Sequence, residues 1–188
     1  MAEFILTKKD RIPEFLCVLL LIFLGVLLRF LPHPPNFAPI AAIALFGGVY
    51  FSKRIALVLP ILTMVISDIF IGLYEINLMA SVYASFLLCG ILGIYLKRHK
   101  RWYTVLGSSF LCSLIFFVLT NFAVWAFTSW YAKTFSGIIQ CYVAALPFFR
   151  NTLLGNLFYV SIFFGVYEAV GVWVIKKSAR LSMLKVQK

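Results

Sequence analysis

The chain has 188 residues, of which 63% are hydrophobic and only 12% are charged, and its mean hydropathy is +1.02. These values lie far outside the range of a soluble domain, so the sequence predicts one all-α integral membrane domain over residues 1–188. The formal net charge of +11 does not indicate a nucleic-acid-binding protein. The basic residues occur in short clusters between apolar runs and form no continuous basic face.

Six apolar stretches are candidates for transmembrane helices. Five are long enough to cross a bilayer, and they lie at 13–31, 55–73, 78–96, 103–130 and 152–175. The stretch at 37–51 is shorter, because at about 1.5 Å per residue it reaches about 22 Å, less than a hydrocarbon core of about 30 Å. The sequence therefore predicts a bundle of six transmembrane helices with a short second helix.

The start of the chain resembles a signal peptide, because basic residues precede an apolar run. Arg29 and a proline cluster follow that run directly, where a cleavage site of small residues would be expected. We therefore expect the segment to be retained as the first helix.

The lysines and arginines predict the orientation of the bundle. With six crossings and a cytoplasmic N-terminus, Arg29, Lys133 and Arg150 are the only basic residues left outside. Because cytoplasmic loops are enriched in lysine and arginine, both termini are predicted to be cytoplasmic. We expect a multi-pass protein of the bacterial plasma (inner) membrane.

The segment 135–149 is apolar enough to be mistaken for a seventh span. A crossing there would place a basic cluster outside, and Gln140 and Pro147 weaken a helix exposed to lipid. We expect it to be an external or re-entrant segment.

Asp68 is an acidic residue within a predicted span. A charge in the middle of a membrane costs about 2.5–3.5 kcal/mol, so Asp68 is expected to face the bundle interior and to have a partner. Arg29 and Arg150 are the two candidates. A purely structural ion pair is an equally good interpretation of this residue.

The segment "RFLPHPPNFAP" interrupts the first two apolar stretches at residues 29–39. Its prolines remove backbone donors, and irregular backbone at membrane depth is tolerated where it lines a cavity. The next helix would direct the positive end of its dipole at an anionic or carbonyl-bearing ligand there, beside His33 and Asn36. A rigid external turn is the alternative. His33 has no second histidine or cysteine at ligand spacing, so no metal site is predicted.

Two further motifs carry polar residues on the predicted outer side. In "LTNFAVW", Asn121 lies beside Phe122 and Trp125, a pairing typical of sites for flat heterocycles, although an interhelical hydrogen bond is an equal alternative. In "PFFRNTLLGN", polar residues open the last helix, where a simple helix cap is the alternative. The candidate substrate-binding residues are therefore Arg29, His33, Asn36, Asp68, Asn121, Phe122, Trp125, Arg150, Asn151 and Asn156.

Four motifs together carry a resemblance to a known group of proteins. They are R-x-x-P-H-x-P-N-F-x-P at 29–39, "ISD" at 66–68, "TNFAVW" at 120–125 and "PFFRNTLLGN" at 147–156. The chain resembles an uncharacterised family of small bacterial integral membrane proteins. That family in turn is similar to the S components, the substrate-binding subunits of energy-coupling-factor vitamin importers.

This resemblance implies that the protein binds a vitamin or a precursor from the extracytoplasmic side. A separate transmembrane coupling subunit and ATPase subunits would then supply the energy, because the chain has no Walker-type phosphate loop. The implied partners are thus a small molecule, these subunits and the lipid bilayer, with no nucleic acid.

Other functions remain open at the level of sequence. The chain has no His-Glu-x-x-His or Gly-x-Ser-x-Gly motif, so we expect no enzyme and no cofactor. A structural scaffold of the cell envelope would also be a small helical membrane protein. A stand-alone secondary carrier could use Asp68 as its proton or ion site, although no internal repeat supports one.

Overall fold

The computed structural model describes residues 11–186, with side chains described from residue 14 to residue 173. The first ten residues, which belong to the signal-peptide-like start, and the last two lie outside this range. The described residues form six α-helices and no strand, which confirms the predicted all-α class. The helices are α1 (Arg11–Phe30), α2 (Ile40–Tyr50), α3 (Lys53–Ile71), α4 (Ile76–Leu96), α5 (Trp102–Phe127) and α6 (Phe135–Val186).

Four of these helices are long and apolar enough to cross a membrane. They are α3, α4, α5 and the part of α6 from Phe135 to Trp173. In each helix, the mean hydropathy of an 18-residue stretch reaches a value between 1.5 and 2.1, which suits lipid contact. The sidedness of the termini and a full count of six crossings stay predictions.

The short helix α2 lies at the centre of the bundle. Every residue from Ile40 to Val49 is buried, and α2 contacts each of the other five helices. A helix that is apolar on all sides is stable only when it is surrounded, and this one is. Its 11 residues extend about 16 Å, so α2 fills roughly half of the bundle's depth and leaves space beyond its first turn.

One end of α2 packs backbone to backbone against α4. A Cβ atom added to Gly48 would lie 2.5 Å from the carbonyl oxygen of Gly90, and one added to Gly93 would clash with the carbonyl oxygen of Leu45. Only glycine permits this approach.

The loops at the two ends of the bundle divide it into two regions. The residues between α1 and α2, between α3 and α4 and between α5 and α6, at 31–39, 72–75 and 128–134, define what we term the cavity end. The residues between α2 and α3 and between α4 and α5, at 51–52 and 97–101, define the opposite end.

The prediction of a re-entrant segment at 135–149 is wrong, because these residues are the first four turns of the continuous helix α6. Its alternative, an external segment, stays a prediction. Pro147 removes one backbone donor but does not break the helix. The segment also packs on α5: the Tyr142 hydroxyl donates to the Val118 carbonyl oxygen at 2.7 Å, and the ring centroids of Phe117 and Phe149 are 4.9 Å apart. A re-entrant segment would have to turn back, whereas α6 is continuous from Phe135 to Val186.

Candidate functional site

Two adjoining cavities open at the cavity end, above the first turn of α2. The first has a volume of about 310 Å³ and the second about 220 Å³. They share part of their wall, which consists of residues from the α1–α2 and α3–α4 loops, α4, α5 and α6: Asn36, Tyr74, Val82, Phe116 and Thr152. Together they form one two-part space inside the bundle.

Arg29, near the end of α1, reaches the first cavity from one side. Its Nη1 donates to the hydroxyl of Ser67, lies 3.1 Å from the sulfur of Met64 and lies 2.7 Å from Oδ1 of Asp68. All its contacts with described polar atoms run through this single nitrogen. The edge formed by Nε and Nη2 is therefore left for a ligand, and a guanidinium edge matches a carboxylate in two parallel hydrogen bonds.

Asp68 lies behind Arg29 and not on the cavity wall. Its side chain is 1% exposed, whereas that of Arg29 is 17% exposed. Oδ2 accepts a hydrogen bond from the Tyr83 hydroxyl at 2.8 Å, while Oδ1 accepts none from the described residues despite its closeness to Arg29. The ion pair therefore fixes the guanidinium and neutralises it without using its free edge.

The N-terminus of α2 faces the same cavity, because Ala38, Ile40 and Ala41 line it. Pro39 occupies the N-cap position and no side chain caps the helix. The first internal hydrogen bond is donated by the backbone N–H of Ile43, so the three preceding N–H groups have no helical acceptor. A helix start with free N–H groups attracts negative charge.

The mouth of the site is formed by loop residues. Asn36 has a positive φ of 65°, a conformation that asparagine tolerates better than most residues. Nδ1 of His33 lies 2.6 Å from the Leu31 carbonyl oxygen, which can only accept, so Nδ1 carries the proton. Burial, aided by the charge of Asp68, raises the pKa of Tyr74 to about 12, so its phenol stays neutral at physiological pH.

The second cavity is lined mainly by α4, α5 and the start of α6. Asn121 lies on its wall, and its Nδ2 donates to the Phe117 carbonyl oxygen at 2.7 Å. Phe116 separates the two cavities and stacks on Phe86 with ring centroids 5.4 Å apart. Polar atoms thus alternate with flat apolar surfaces.

The structure brings together six of the ten residues proposed from sequence. Four line the first cavity, Asn121 lines the second and Asp68 supports the arginine. The four on the first cavity are Arg29, His33, Asn36 and Asn156. Of the two candidate partners for Asp68, the structure selects Arg29.

The other four residues line neither cavity. The ring of Phe122 is exposed and contacts that of Trp125, whose indole N–H donates to the Ala132 carbonyl oxygen at 3.0 Å. Arg150 is exposed on the surface of α6 and Asn151 is half-buried. Residues 152 and 156 are one helical turn apart and share the cavity face, whereas 150 and 151 are turned away from it.

Sequence reasoning missed several residues of the site, among them Thr152, Tyr74 and Tyr83. Thr152 lies within a quoted motif, and its spacing of four from Asn156 was a usable signal. Tyr74 and Tyr83 are ordinary aromatic residues in an aromatic-rich chain, and nothing in the sequence distinguished them. Among the described residues, no group of three or more histidine, cysteine, aspartate or glutamate side chains could hold a metal ion.

Comparison with known protein families gives one match. Residues 9–179 match the model of a family of unknown function, DUF6580. The chain belongs to this family. The matched region includes all four motifs, and therefore both cavities, the buried ion pair and the central helix α2 lie within the family domain. No curated protein and no solved structure matches the chain.

Proposed function

We propose that this protein is the membrane-embedded binding subunit of an uptake system for a small molecule. One observation carries the proposal: the free edge of Arg29 and the uncapped start of α2 face the same cavity. Both are hydrogen-bond donors with positive character, and both lie within the bundle. A negatively charged or carbonyl-bearing group of a ligand satisfies them together.

The electrostatics favour a ligand with one anionic group. Arg29 is already neutralised by Asp68, so the site does not need several negative charges. The partial positive charge of the helix start remains, equivalent to about half of an elementary charge. A single carboxylate suits this arrangement better than a polyphosphate.

The remaining walls suit an apolar ligand body. Ile40, Met64, Phe86 and Phe116 surround the polar atoms of the first cavity. Small-molecule sites are commonly apolar pockets with a few polar groups that fix orientation, and their volumes run from about 300 Å³ upward. The two cavities together reach this range, so a vitamin-sized molecule or a vitamin precursor fits the proposal.

Uptake needs an energy source that this chain does not carry in any recognised motif. We propose that a transmembrane coupling subunit and ATPase subunits supply it, as the likeness to S components implies. In this arrangement the cavity end faces the extracytoplasmic side of the bacterial plasma membrane, and the bilayer surrounds α3 to α6.

Native mass spectrometry of the detergent-purified chain tests the proposal. We expect the wild-type protein to retain a small molecule, Arg29→Gln to lose it, and Glu168→Gln, a charge removal at the opposite end, to keep it. Circular dichroism of each variant checks that the helices are formed. A wild-type protein that is free of small molecules after mild purification, or equal retention by both variants, would contradict the proposal.

A stand-alone secondary carrier is the second candidate. Oδ1 of Asp68 is buried and accepts no hydrogen bond from the described residues, which suits a site that takes up a proton or an ion during transport. The test uses liposomes that contain only this chain. Uptake of the small molecule that is driven by a pH gradient and abolished by Asp68→Asn would favour the carrier over the binding subunit.

A further inference from the structure

On α4, α5 and α6, the polar side chains that line the two cavities use their donors within the protein and leave acceptor oxygens free. Asn156 is 2% exposed, and its Nδ2 donates to the hydroxyl of Ser113 at 2.8 Å. Ser113 uses its own hydrogen on the Ser109 carbonyl oxygen, so it can only accept from Asn156. This fixes the amide orientation and leaves Oδ1 of Asn156, which accepts no bond from the described residues, on the wall of the first cavity.

Thr152 shows the same pattern one turn earlier on α6. Its hydroxyl lies 2.9 Å from the Phe148 carbonyl oxygen, which can only accept, so the hydroxyl hydrogen is committed to the helix backbone. Thr152 lines both cavities, and only the lone pairs of its oxygen remain for a ligand.

The second cavity repeats the pattern on α4 and α5. The hydroxyls of Ser81 and Thr120 donate to the carbonyl oxygens of Leu78 and Phe116, each at 2.7 Å. Nδ2 of Asn121 also donates to its own helix, so its Oδ1 is the atom left without a partner among the described residues. Each of these side chains lines the second cavity and presents an acceptor oxygen to it.

The wall that α1 and α2 contribute to the first cavity carries donors. The free edge of Arg29 and the backbone N–H groups at the start of α2 belong to this wall. Among these residues, the α1 and α2 side carries donors and the α4, α5 and α6 side carries acceptors. The Tyr74 hydroxyl and the Asn36 amide, which line both cavities, can donate or accept.

From this arrangement, and resting on the proposed function, we infer the substrate class: a molecule with one carboxylate-like acceptor group at one end and N–H or O–H donors at the other. The carboxylate faces Arg29 and the α2 start, and the donors face Thr152, Asn156 and the second cavity. A flat or apolar body between them lies against Phe86 and Phe116. A monocarboxylate whose far end carries only acceptors is rejected, because the wall oxygens would be left without donors.

A matched set of probes tests the inference. We would measure binding of para-aminohippurate, para-nitrohippurate and the methyl ester of each to the detergent-purified full chain, by the rise in melting temperature over a concentration series. The amino compound has donors at its far end, the nitro compound only acceptors, and the esters lack the anionic end. We expect para-aminohippurate to bind about tenfold more tightly than para-nitrohippurate.

Two variants locate the preference. Thr152→Val keeps the shape of the side chain and removes its acceptor, and it should reduce the preference for the amino compound while Arg29 still binds the carboxylate. Ser161→Ala, which removes a hydroxyl with the same bond to its own helix farther along α6, should leave the preference unchanged.

The outcomes separate the two proposals. In one outcome, para-nitrohippurate binds as tightly as para-aminohippurate or more tightly, and both acids bind more tightly than their esters. This outcome would overturn the inferred donor end of the substrate and leave the anion-binding function intact. Acids that bind no better than their esters, including no binding by any probe, would overturn the proposed function and the inference with it.

Discussion

The two ends of the bundle each hold an ion pair, and the two pairs have different surroundings. At the cavity end the side chains of Arg29 and Asp68 are 17% and 1% exposed, and the pair borders an internal space. At the opposite end those of Lys100 and Glu168 are 36% and 53% exposed, and the Tyr50 hydroxyl donates to the same carboxylate at 2.5 Å. Exposed pairs contribute little to stability, whereas removing one member of a buried pair is costly.

The backbone around α2 shows the same difference. Toward the opposite end, glycines of α2 and α4 bring the backbones of the two helices into contact, whereas the first turn of α2 has no cap and faces a cavity. The opposite end also has a cavity, of about 440 Å³ between α5 and α6, and Lys100 and Glu168 lie on its wall. The two ends therefore differ in how deeply their charged groups are buried and not in the presence of a cavity. The cavity end thus holds a buried ion pair and an uncapped helix start beside an internal space, as the proposed binding site requires.

The largest effect is expected when Asp68 is changed to asparagine. Arg29 then loses its counterion in a largely buried position, and we expect the free energy of unfolding to fall by about 3 kcal/mol. Unfolding of the micelle-bound protein by sodium dodecyl sulfate measures it. The double variant Arg29→Met with Asp68→Asn should recover most of the loss, and a double variant as unstable as the single one would show that the charge pair is not the cause.

The next effect concerns the closed contact between α2 and α4. Gly93→Ala places a methyl group against the Leu45 carbonyl, and overpacking of this kind costs about 1–3 kcal/mol. Gly107→Ala is the matched control, because a Cβ at that helical position meets nothing within 4 Å. We expect the control to be neutral or stabilising by up to about 1 kcal/mol in the same denaturation assay. Equal stability of the two variants would remove the argument for close helix contact.

A smaller effect is expected at the exposed pair. Glu168→Gln removes the charge that faces Lys100, and the free energy of unfolding should change by less than about 1 kcal/mol because solvent screens this pair. A loss as large as that of Asp68→Asn would erase the difference between the two ends.

The smallest effect is expected at Glu75, the N-cap of α4. The backbone N–H of Leu78 donates to its carboxylate at 2.8 Å, and this bond lowers the pKa of Glu75 below its ordinary value. Because the pKa of Glu75 is lower in the folded state than in the unfolded state, its carboxylate stabilises the fold at pH values above the pKa of the unfolded state. This stabilisation is lost as the pH falls through the pKa of the folded state. Thermal melts over the acidic range should show a small loss in the wild type and a flatter profile in Glu75→Gln.

The sequence predicted correctly those features that follow from the energetic cost of a charged or unpaired polar group within the membrane. An aspartate within a span must have a partner, which placed Asp68 inside beside an arginine. The proline-rich segment correctly indicated irregular backbone at a helix start. The length of the apolar stretches gave six helices, with α2 shorter than the rest.

Other features depend on contacts that a single sequence does not display. Both Arg29 and Arg150 are candidate partners for Asp68 in the sequence, whereas in the structure Arg150 is turned outward on α6 and Arg29 forms the pair. Pro147 suggested an interruption, but the packing of Tyr142 against α5 holds the helix together across it. Tyr74 lies on the wall of the site because of the path of the α3–α4 loop, and no sequence pattern predicts that path.

The most direct measurement of the central claim compares the two ends in one binding assay. The small-molecule fraction of a bacterial lysate would be added to wild-type protein, Arg29→Gln and Glu168→Gln, and the melting temperature of each recorded in detergent. We expect a rise for the wild type and for Glu168→Gln, and none for Arg29→Gln. A rise that Arg29→Gln retains in full, or no rise for any of the three, would contradict a binding site at the cavity end.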